Sequence, residues 1–222
     1  DYLIVMSMHI PLKSSKESFR LEDRKRLFNL LKDFQNCLAL SAHTHLQRND
    51  FLGKKEDWFQ FKPLHEFNAG TTSGDWYSGK LNEQGVASST MRDGTRKGYA
   101  FLNFTGNQYS IEYKVAGMPA DYQMEIYCPK VISTEKNTAR FFANYFMGSE
   151  ADVLEYEFNE GDWQKMIFTK SIDPSFAAEL VQWDFTDTLP AGRRPSNGVE
   201  STHLWQASFP KKMKAGNYTL NI

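Results

Sequence analysis

The stretch Cys37-Leu38-Ala39-Leu40-Ser41-Ala42-His43-Thr44-His45 joins a short apolar run to two histidines that are one residue apart. An apolar run of this length predicts a buried strand. The upstream run Tyr2-Leu3-Ile4-Val5-Met6 is followed closely by His9. In open α/β sheets, ligands bind at the edge where the carboxyl ends of the strands meet. We therefore expect His9, His43 and His45 to lie at one such edge.

A helix is predicted between these two strands, so that residues 1–47 form a β-α-β unit with a parallel strand pair. Its apolar face follows the i, i+3, i+4, i+7 pattern and consists of Leu27, Leu30, Leu31 and Phe34. Ser14 and Glu17 have the spacing of a capping box at the helix start, and Asn36 is a candidate end. One strand pair and one helix leave apolar faces open, so the unit needs further strands around it.

The sequence changes in character after this unit. Arg48–Phe61 is charged and aromatic, which predicts a surface loop. Further along, Tyr99–Phe104 and Tyr109–Val115 alternate in polarity and flank the turn Gly106-Asn107, a pattern typical of a β-hairpin. We expect this hairpin to extend the first sheet.

Beyond residue 117 the pattern predicts strands alone, separated by short turns. The candidate strands are Tyr122–Cys128, Ala139–Met147, Val153–Phe158, Trp163–Thr169, His203–Phe209 and Tyr218–Ile222. Asp187–Ser201 predicts a long irregular loop. Short strands at this spacing favour a mainly antiparallel β-sandwich. The fold class is therefore predicted as α+β, with a partial β-α-β sheet in residues 1–116 and a β-sandwich domain in residues 117–222.

Composition limits the classes of partner. The chain has 222 residues, of which 41% are hydrophobic and 24% charged, and its formal net charge is −1. A balance this close to neutral gives no electrostatic attraction for nucleic acid or for an anionic membrane surface. Its apolar stretches are all shorter than the roughly 20 residues that a membrane-spanning helix needs. The sequence therefore indicates neither nucleic acid nor a membrane as a partner.

The three histidines suggest a metal site, because neutral imidazole is the commonest side-chain metal ligand. If strand pairing continues past Ser41, His43 and His45 project to the same side. If the chain bends there, the two rings splay and serve separate ions, about 3.5–4 Å apart in a two-metal site. His9 would join one of these coordination spheres. A lone histidine near a strand end is more often a surface or hydrogen-bonded residue, so the prediction depends on the set of three.

Several motifs resemble one enzyme family. Ser41–His45 looks like the final Gly-His-x-His motif of the calcineurin-like metallophosphoesterases, and Ser7-Met8-His9 resembles the isolated histidine motif that precedes it by one helix. Residues 67–79 and 91–99 are similar to a bacterial subfamily that carries an extra C-terminal β domain, and residues 201–205 resemble part of that domain. The resemblance covers nearly the whole chain.

The resemblance implies a hydrolase that cleaves phosphate mono- or diesters with two divalent metal ions, often manganese, iron or zinc. His9 and His43 would bind one ion and His45 the other, and the ions would activate a water for in-line attack on phosphorus. The residues suggested to face the substrate pocket are His65, Asn68, Arg92 and Asp93. A plain turn is the simpler explanation of Asp93-Gly94.

Two departures from the family pattern limit what the chain is expected to do. Ala42 stands where the family has glycine, and whether a bend tolerates alanine there depends on φ. The family's Asp-x-His, Gly-Asp-x-x-Asp and Gly-Asn-His motifs, which supply carboxylates, an asparagine and the acid–base histidine, do not occur in the sequence. We therefore interpret the chain as the C-terminal portion of a longer enzyme, with an incomplete metal site and no hydrolysis of its own.

The same interpretation carries two further expectations. Missing strands would leave an open sheet edge, which favours self-association. The resemblance to bacterial enzymes suggests a periplasmic or secreted location.

Two other functions fit parts of the sequence. The sandwich is a non-catalytic module for carbohydrate or protein if Trp163, Trp183 and Tyr218 line one exposed face. Alternatively, the three histidines alone form a structural zinc clip, although they offer no fourth protein ligand and no thiolate.

Overall fold

The computed structural model of the protein describes residues 2–13 and 20–222. The strands in this part of the chain are β1 (Leu3–Ser7), β2 (Asn36–Ser41), β3 (Arg48–Leu52), β4 (Leu64–Asn68), β5 (Gly79–Lys80), β6 (Gly98–Thr105), β7 (Gln108–Val115), β8 (Met124–Tyr127), β9 (Arg140–Tyr145), β10 (Glu155–Phe158), β11 (Gln164–Lys165), β12 (Ile167–Thr169), β13 (Gly192–Arg193), β14 (Leu204–Ser208) and β15 (Leu220–Asn221). The helices are α1 (Leu21–Leu31) and α2 (Pro174–Asp184), with a short 3-10 turn at Lys54–Glu56. Helices combined with mainly antiparallel sheets confirm the α+β class.

The first sheet has the strand order β1-β2-β4-β3. β1 pairs with β2 in parallel, with Ile4 opposite Cys37, which confirms the predicted parallel pair. β4 continues the sheet in parallel with β2, and β3 pairs antiparallel with β4. The surface loop predicted for residues 48–61 is therefore wrong over its first five residues. They form an edge strand in which buried Asp50 and Leu52 alternate with half-buried Asn49 and exposed Phe51.

Helix α1 covers this sheet with a face that includes Leu27 and Leu31 of the predicted set but leaves Leu30 and Phe34 exposed. Phe28 and Leu31 are buried in a core with Trp58 and Leu64. Leu30 is 64% exposed, because the buried face of the helix is formed by Phe28 and Leu31 and does not include position 30. The helix ends at Leu31, and the predicted end at Asn36 is the first residue of β2. The predicted capping box at Ser14 and Glu17 lies outside the described residues.

The hairpin predicted around Gly106-Asn107 is present as β6 and β7, with Phe104 opposite Tyr109. Contrary to the expectation, it forms its own two-stranded sheet and does not extend the first one. Its buried residues Tyr113 and Val115 pack with Phe146 and Met91 in a separate small core.

The C-terminal half contains the predicted sandwich. One sheet has the order β12-β14-β9-β8 and the other β11-β10-β15. Their inner faces share one aromatic core, in which Phe141 packs edge-on against Tyr156 at a centroid distance of 4.9 Å. Trp205 is 1% exposed in the same core, where it is a packing residue.

The expectation of strands alone beyond residue 117 is wrong, because α2 lies between β12 and β13. The Asp173 side chain caps its start by accepting from the Phe176 N–H at 2.8 Å, and Pro174 occupies the first turn. Phe176 and Trp183 bury one side of the helix while Val181 stays exposed. Neither α-helix in the described part of the chain has the length and hydropathy of a membrane span.

Strand pairing also crosses the predicted domain boundary at residues 116 and 117. β13 pairs antiparallel with β5, so Arg193 lies opposite Gly79. Asn49 Nδ2 donates to the Met147 carbonyl at 2.7 Å. The division of the chain at this boundary stays a prediction.

Candidate metal centre

His9 and His43 meet at the carboxyl ends of β1 and β2. The parallel ladder continues beyond the strands, because the Met8 N–H donates to the Leu40 carbonyl and the Ala42 N–H donates to the His9 carbonyl at 3.1 Å. His9 Nε2 and His43 Nδ1 are 2.9 Å apart, with the two rings inclined at 77°. Both side chains are exposed. Two solvent-accessible imidazole nitrogens thus face each other at hydrogen-bond distance.

The backbone bends sharply just after Ser41. His43 and His45 have φ values of 67° and 54°, in the left-handed region, where histidine is one of the better tolerated residue types. Ala42 does not have a positive φ, so the substitution of alanine for the family glycine causes no strain here. The two histidines therefore splay apart, as in the second of the two geometries expected from the sequence.

His45 turns towards the segment that follows β4. Its Nδ1 lies 3.1 Å from the Gly74 carbonyl oxygen. A carbonyl oxygen only accepts, so Nδ1 carries the proton and, in the neutral ring, Nε2 holds the lone pair. The imidazole also stacks on Trp76 at a centroid distance of 4.3 Å. A hydrogen bond from the second ring nitrogen to a backbone carbonyl is the usual way in which a metal-binding histidine is oriented.

The separation of the His9 and His43 nitrogens fits a shared metal ion. Metal–nitrogen bonds of about 2.0–2.1 Å place two nitrogens roughly 3 Å apart at a right angle and about 3.3 Å apart at a tetrahedral angle. The observed 2.9 Å lies near the first value and is also the length of a direct hydrogen bond between the rings. Among the described residues, however, no three His, Cys, Asp or Glu side chains form a group that could hold an ion. The donor set therefore fits part of a coordination sphere, and the metal roles of His9, His43 and His45 stay predictions.

Strand β4 holds both histidine-bearing loops through two polar residues on one face. Glu66, which is fully buried, accepts from the backbone N–H groups of Leu12 and Lys13 at 2.6 and 2.8 Å. Asn68, also fully buried, reaches the loop after β2. Residues i and i+2 of a strand share a face, so β4 contacts the loop after β1 with one residue and the loop after β2 with the other.

Asn68 is bonded three times to the histidine loop. Its Nδ2 donates to Ser41 Oγ at 3.0 Å and to the Ala42 carbonyl at 2.6 Å, and its Oδ1 accepts from the Thr44 hydroxyl. These bonds fix the chain on either side of His43. Asn68 was suggested to face the substrate pocket, and here its polar atoms are occupied by the loop.

His65 lies on β4 and is held inside the protein. Its Nε2 donates to Asn49 Oδ1 at 3.0 Å, and its Nδ1 lies 2.8 Å from the Tyr109 hydroxyl. Phe51 stacks on the ring at 4.7 Å. Burial lowers the pKa of His65 to about 4, in spite of the opposing charge of Asp50. The imidazole is thus a neutral packing residue at neutral pH.

Asp93 lies in a buried polar cluster, which we call the Asp93 network and which consists of Asp93, Asn144, Asp173 and His203. Asp93 accepts from the backbone N–H of Gln47 at 2.8 Å and lies 3.5 Å from His203 Nε2. Burial alone would raise the pKa of the Asp93 carboxyl, but the hydrogen bonds and His203 outweigh it and lower the pKa.

Asn144 joins the other members of the Asp93 network. It donates to the Asp93 carbonyl at 2.9 Å and to Asp173 at 3.0 Å, and it accepts from His203 Nδ1 at 2.7 Å. Gly94 has a φ of 89°, and a side chain there would collide with Asp173 and Asn144. Arg92 is half-buried beside this turn, and its carbonyl accepts from the Val199 N–H.

Sequence reasoning missed the supporting residues of the centre. Glu66 was not singled out, and Trp76, which is 64% exposed beside His45, was given no role at the site. The signal for Glu66 and Asn68 was two polar residues at alternating positions of a short strand, next to Leu64 and Phe67. A buried carboxylate or amide in such a position needs hydrogen-bond partners, which adjacent loops can supply.

The aromatic residues of the binding-module alternative do not form one face. Trp183 is only 6% exposed. Trp163 lines a cavity of about 470 Å³ with Met124, and Tyr218 lines another of about 620 Å³ with Phe209. A single recognition surface built from these three residues is therefore excluded.

Comparison with known families identifies the chain. A sequence model for the C terminal of calcineurin-like phosphoesterase matches residues 66–222. Searches of curated proteins and of solved structures return no match. The matched region includes Glu66, Asn68 and the sandwich, whereas His9, His43 and His45 precede it. Since the match spans more than half of the chain, the protein belongs to the calcineurin-like phosphoesterase family, whose C-terminal part it contains.

Proposed function

We propose that this chain supplies the histidine side of a dinuclear metal centre in a phosphoesterase that hydrolyses phosphate mono- or diesters. The observation that carries the proposal is the pair of imidazole nitrogens of His9 and His43, 2.9 Å apart at the ends of two parallel strands. Enzymes of this family generally use divalent metals. The pair has the spacing of two ligands of one ion, and its exposure leaves room for a substrate.

The proposed roles follow from the positions of the ring nitrogens and from the hydrogen bond of His45 to Gly74. His9 Nε2 and His43 Nδ1 bind one ion, and His45 Nε2 binds the second, because Gly74 accepts the proton on its Nδ1. Manganese, iron and zinc are all compatible with imidazole. Such ions neutralise phosphate charge and lower the pKa of the attacking water. Glu66 and Asn68 hold the two loops at a fixed distance.

We also propose that these residues are insufficient for turnover by themselves. The sequence has no Asp-x-His, Gly-Asp-x-x-Asp or Gly-Asn-His motif, so the carboxylates, the bridging ligand and the acid–base histidine of the family have to come from additional sequence. The 222-residue chain alone is therefore expected to bind metal weakly and to hydrolyse no phosphate ester.

Metal titration of the chain tests the histidine pair. We expect weak zinc binding by calorimetry and a loss of about tenfold or more in affinity in His43→Ala. His65→Gln is the matched control, since both nitrogens of His65 are already bonded inside the protein. Zinc affinity that is equal in the wild type and in His43→Ala would contradict the proposed ligand role.

Hydrolysis assays test the reaction. In a polypeptide that joins this chain to the family's other motifs, metal-dependent turnover of para-nitrophenyl phosphate or bis-para-nitrophenyl phosphate should disappear in His43→Ala. Unchanged turnover in that variant would refute the assignment. Robust turnover by the 222-residue chain alone would refute the proposal that its donor set is incomplete.

A further inference from the structure

In the turn that follows Gly74, the polar side chains are buried and the aromatic side chains are exposed, which reverses the usual arrangement. Asp75 and Ser78 are buried, with 1% and 0% of their surface exposed, whereas Trp76 and Tyr77 between them are 64% and 67% exposed. Carboxylates and hydroxyls normally face solvent, and large aromatic rings are normally at least half covered. We call Trp76 and Tyr77 the aromatic platform.

The backbone of the platform is strained and firmly held. Trp76 and Tyr77 have φ values of 56° and 55°, a left-handed conformation that is unusual for a bulky residue. Asp75 Oδ2 supports the turn from inside by accepting from Ser78 Oγ at 3.0 Å and from the Ser196 N–H at 2.6 Å. Strained backbone that its surroundings hold in place is concentrated at functional sites.

The platform is fastened to the C-terminal half as well. Arg193 Nη2 donates to the Trp76 carbonyl at 2.7 Å. Gly74 packs so closely on the Ser89 carbonyl that a side chain at this position would lie 1.6 Å from its oxygen. These contacts fix the direction in which the two rings leave the backbone. The backbone of the turn is thus held in place while both rings face solvent.

The platform adjoins the candidate metal centre. One face of the Trp76 indole stacks on the His45 imidazole, with an interplanar angle of 27°. A substrate whose phosphate is held at His45 therefore has its organic group within reach of the exposed rings. Since the polar side chains of residues 75 and 78 point inward, the outer side of the turn consists of the Trp76 and Tyr77 rings.

We propose that Trp76 and Tyr77 form a subsite for a flat aromatic group in the organic part of the phosphate ester. The proposal rests on the proposed function, because the metal centre would hold the phosphate. An aromatic ring stacks on such a surface without polar partners. The platform thus selects esters of aromatic alcohols, or of nucleosides bound through their base, over simple alkyl esters.

A binding measurement on the chain tests the subsite without requiring turnover. In proton–nitrogen correlation spectra, the Trp76 indole signal is identified by its loss in Trp76→Phe. Phenyl phosphate at millimolar concentration should shift this signal, while ethyl phosphate and inorganic phosphate should leave it in place. The indole signal of Trp163, also exposed, serves as the internal reference. A Trp76 signal that phenyl phosphate does not shift overturns the proposal.

Specificity in the metal-loaded enzyme that contains this chain is the second readout. The ratio of kcat/KM for phenyl phosphate to that for ethyl phosphate should fall roughly tenfold in Trp76→Leu and recover in part in Trp76→Phe. Phe61→Leu, at an exposed aromatic residue of another loop, is the control and should keep the wild-type ratio. A general effect of Trp76 on His45 would change kcat/KM for both esters by the same factor, so it cancels in this ratio.

The two readouts separate the two proposals. A ratio that does not change in Trp76→Leu overturns the aromatic subsite even if both esters are hydrolysed. If neither ester is hydrolysed, the proposed function fails, and the spectra then decide the subsite by themselves.

Discussion

Asn68 illustrates how one side chain can determine the geometry of a whole loop. Its amide is fully buried and bonded to Ser41, Ala42 and Thr44. These residues surround His43, which has a left-handed backbone and little packing of its own. The direction of the imidazole therefore depends on an amide on the neighbouring strand. Asn68 acts through His43 and is a positioning residue.

Replacement of Asn68 by alanine should loosen this loop. The change leaves the Ser41 hydroxyl and the Ala42 carbonyl without their partner, which costs about 2–3 kcal/mol of unfolding free energy. Urea denaturation measures this loss. Zinc affinity should fall together with the stability, although Asn68 contacts no metal.

The control for this prediction is Asn103→Ala on the exposed hairpin. The Asn103 side chain donates to Glu112 at 3.3 Å on the exposed hairpin surface, so little change in stability or zinc affinity is expected. A stable Asn68→Ala variant with wild-type zinc affinity would show that the loop does not depend on the amide.

Strand β4 is the element on which the first sheet and the centre both depend. It pairs with β2 on one side and with β3 on the other. Glu66 and Asn68 contact the histidine loops, whereas His65 packs between Phe51 and Tyr109. Adjacent residues of a strand face opposite sides, so β4 connects the candidate centre to the hairpin packing behind it.

His65 gives this strand a predictable pH dependence. Its pKa falls from 6.5 to about 4 on folding, chiefly through burial. Above pH 6.5 the ring is neutral in both states, and between pH 6.5 and 4 only the unfolded chain takes up a proton. The unfolding free energy should therefore fall by about 2–3 kcal/mol across this range.

The measurement compares the wild type with His65→Gln by urea denaturation at pH 7 and pH 4. Glutamine does not titrate, so the variant should lack this part of the pH dependence. If the unfolding free energy changes by the same amount between pH 7 and pH 4 in both proteins, the pKa of His65 is not lowered in the folded state. Carboxyl groups that do not interact with His65 affect both proteins equally and cancel in the difference, whereas Asp50, whose charge acts on His65, contributes to it.

The sequence predicts elements well where the pattern is local. β1 and β2 are continuous apolar runs, and the parallel pair follows from the helix between them. Helix α2 was missed, because it is short and apolar on more than one side, although Asp173-Pro174 is a typical N-cap followed by proline at the first position. The separate sheet of the hairpin was also missed, since edge pairing depends on tertiary packing.

The candidate site likewise has features that follow from local sequence patterns and features that depend on tertiary contacts. The meeting of His9 and His43 follows from two parallel strands that end at one sheet edge. The sequence did not reveal which loop Glu66 or Asn68 reaches, because strand periodicity gives the face of a side chain and not its partner. The positions of Asp93 and His203 in one buried network depend on contacts more than 100 residues apart in sequence, which no local pattern contains.

On the scale of the whole molecule, the two halves are joined by the Asp93 network. Asn144 of β9 bonds to Asp93, to Asp173 before α2, and to His203 before β14. It is fully buried. A buried polar network that is fully bonded rigidifies the parts it joins, and the loss of one member leaves several groups unpaired. We expect the halves to unfold together.

Replacement of Asn144 by alanine tests this coupling. It should lower the unfolding free energy by about 3 kcal/mol or more, because three buried partners lose their bond. Tryptophan fluorescence and far-ultraviolet circular dichroism should report one shared urea transition. The control is Asn217→Ala, in an exposed turn, and two separate transitions, of which only one moves, would contradict the coupling.

The support of the Trp76 turn by Arg193 and Ser196 has a consequence for biosynthesis. These residues follow the turn by about 120 positions in the chain, and a ribosome adds roughly 5–20 residues each second. For several seconds the nascent polypeptide therefore carries Trp76 and Tyr77 without the contacts that hold them. A chaperone that recognises exposed aromatic segments has this interval in which to bind, and release must precede completion of the fold.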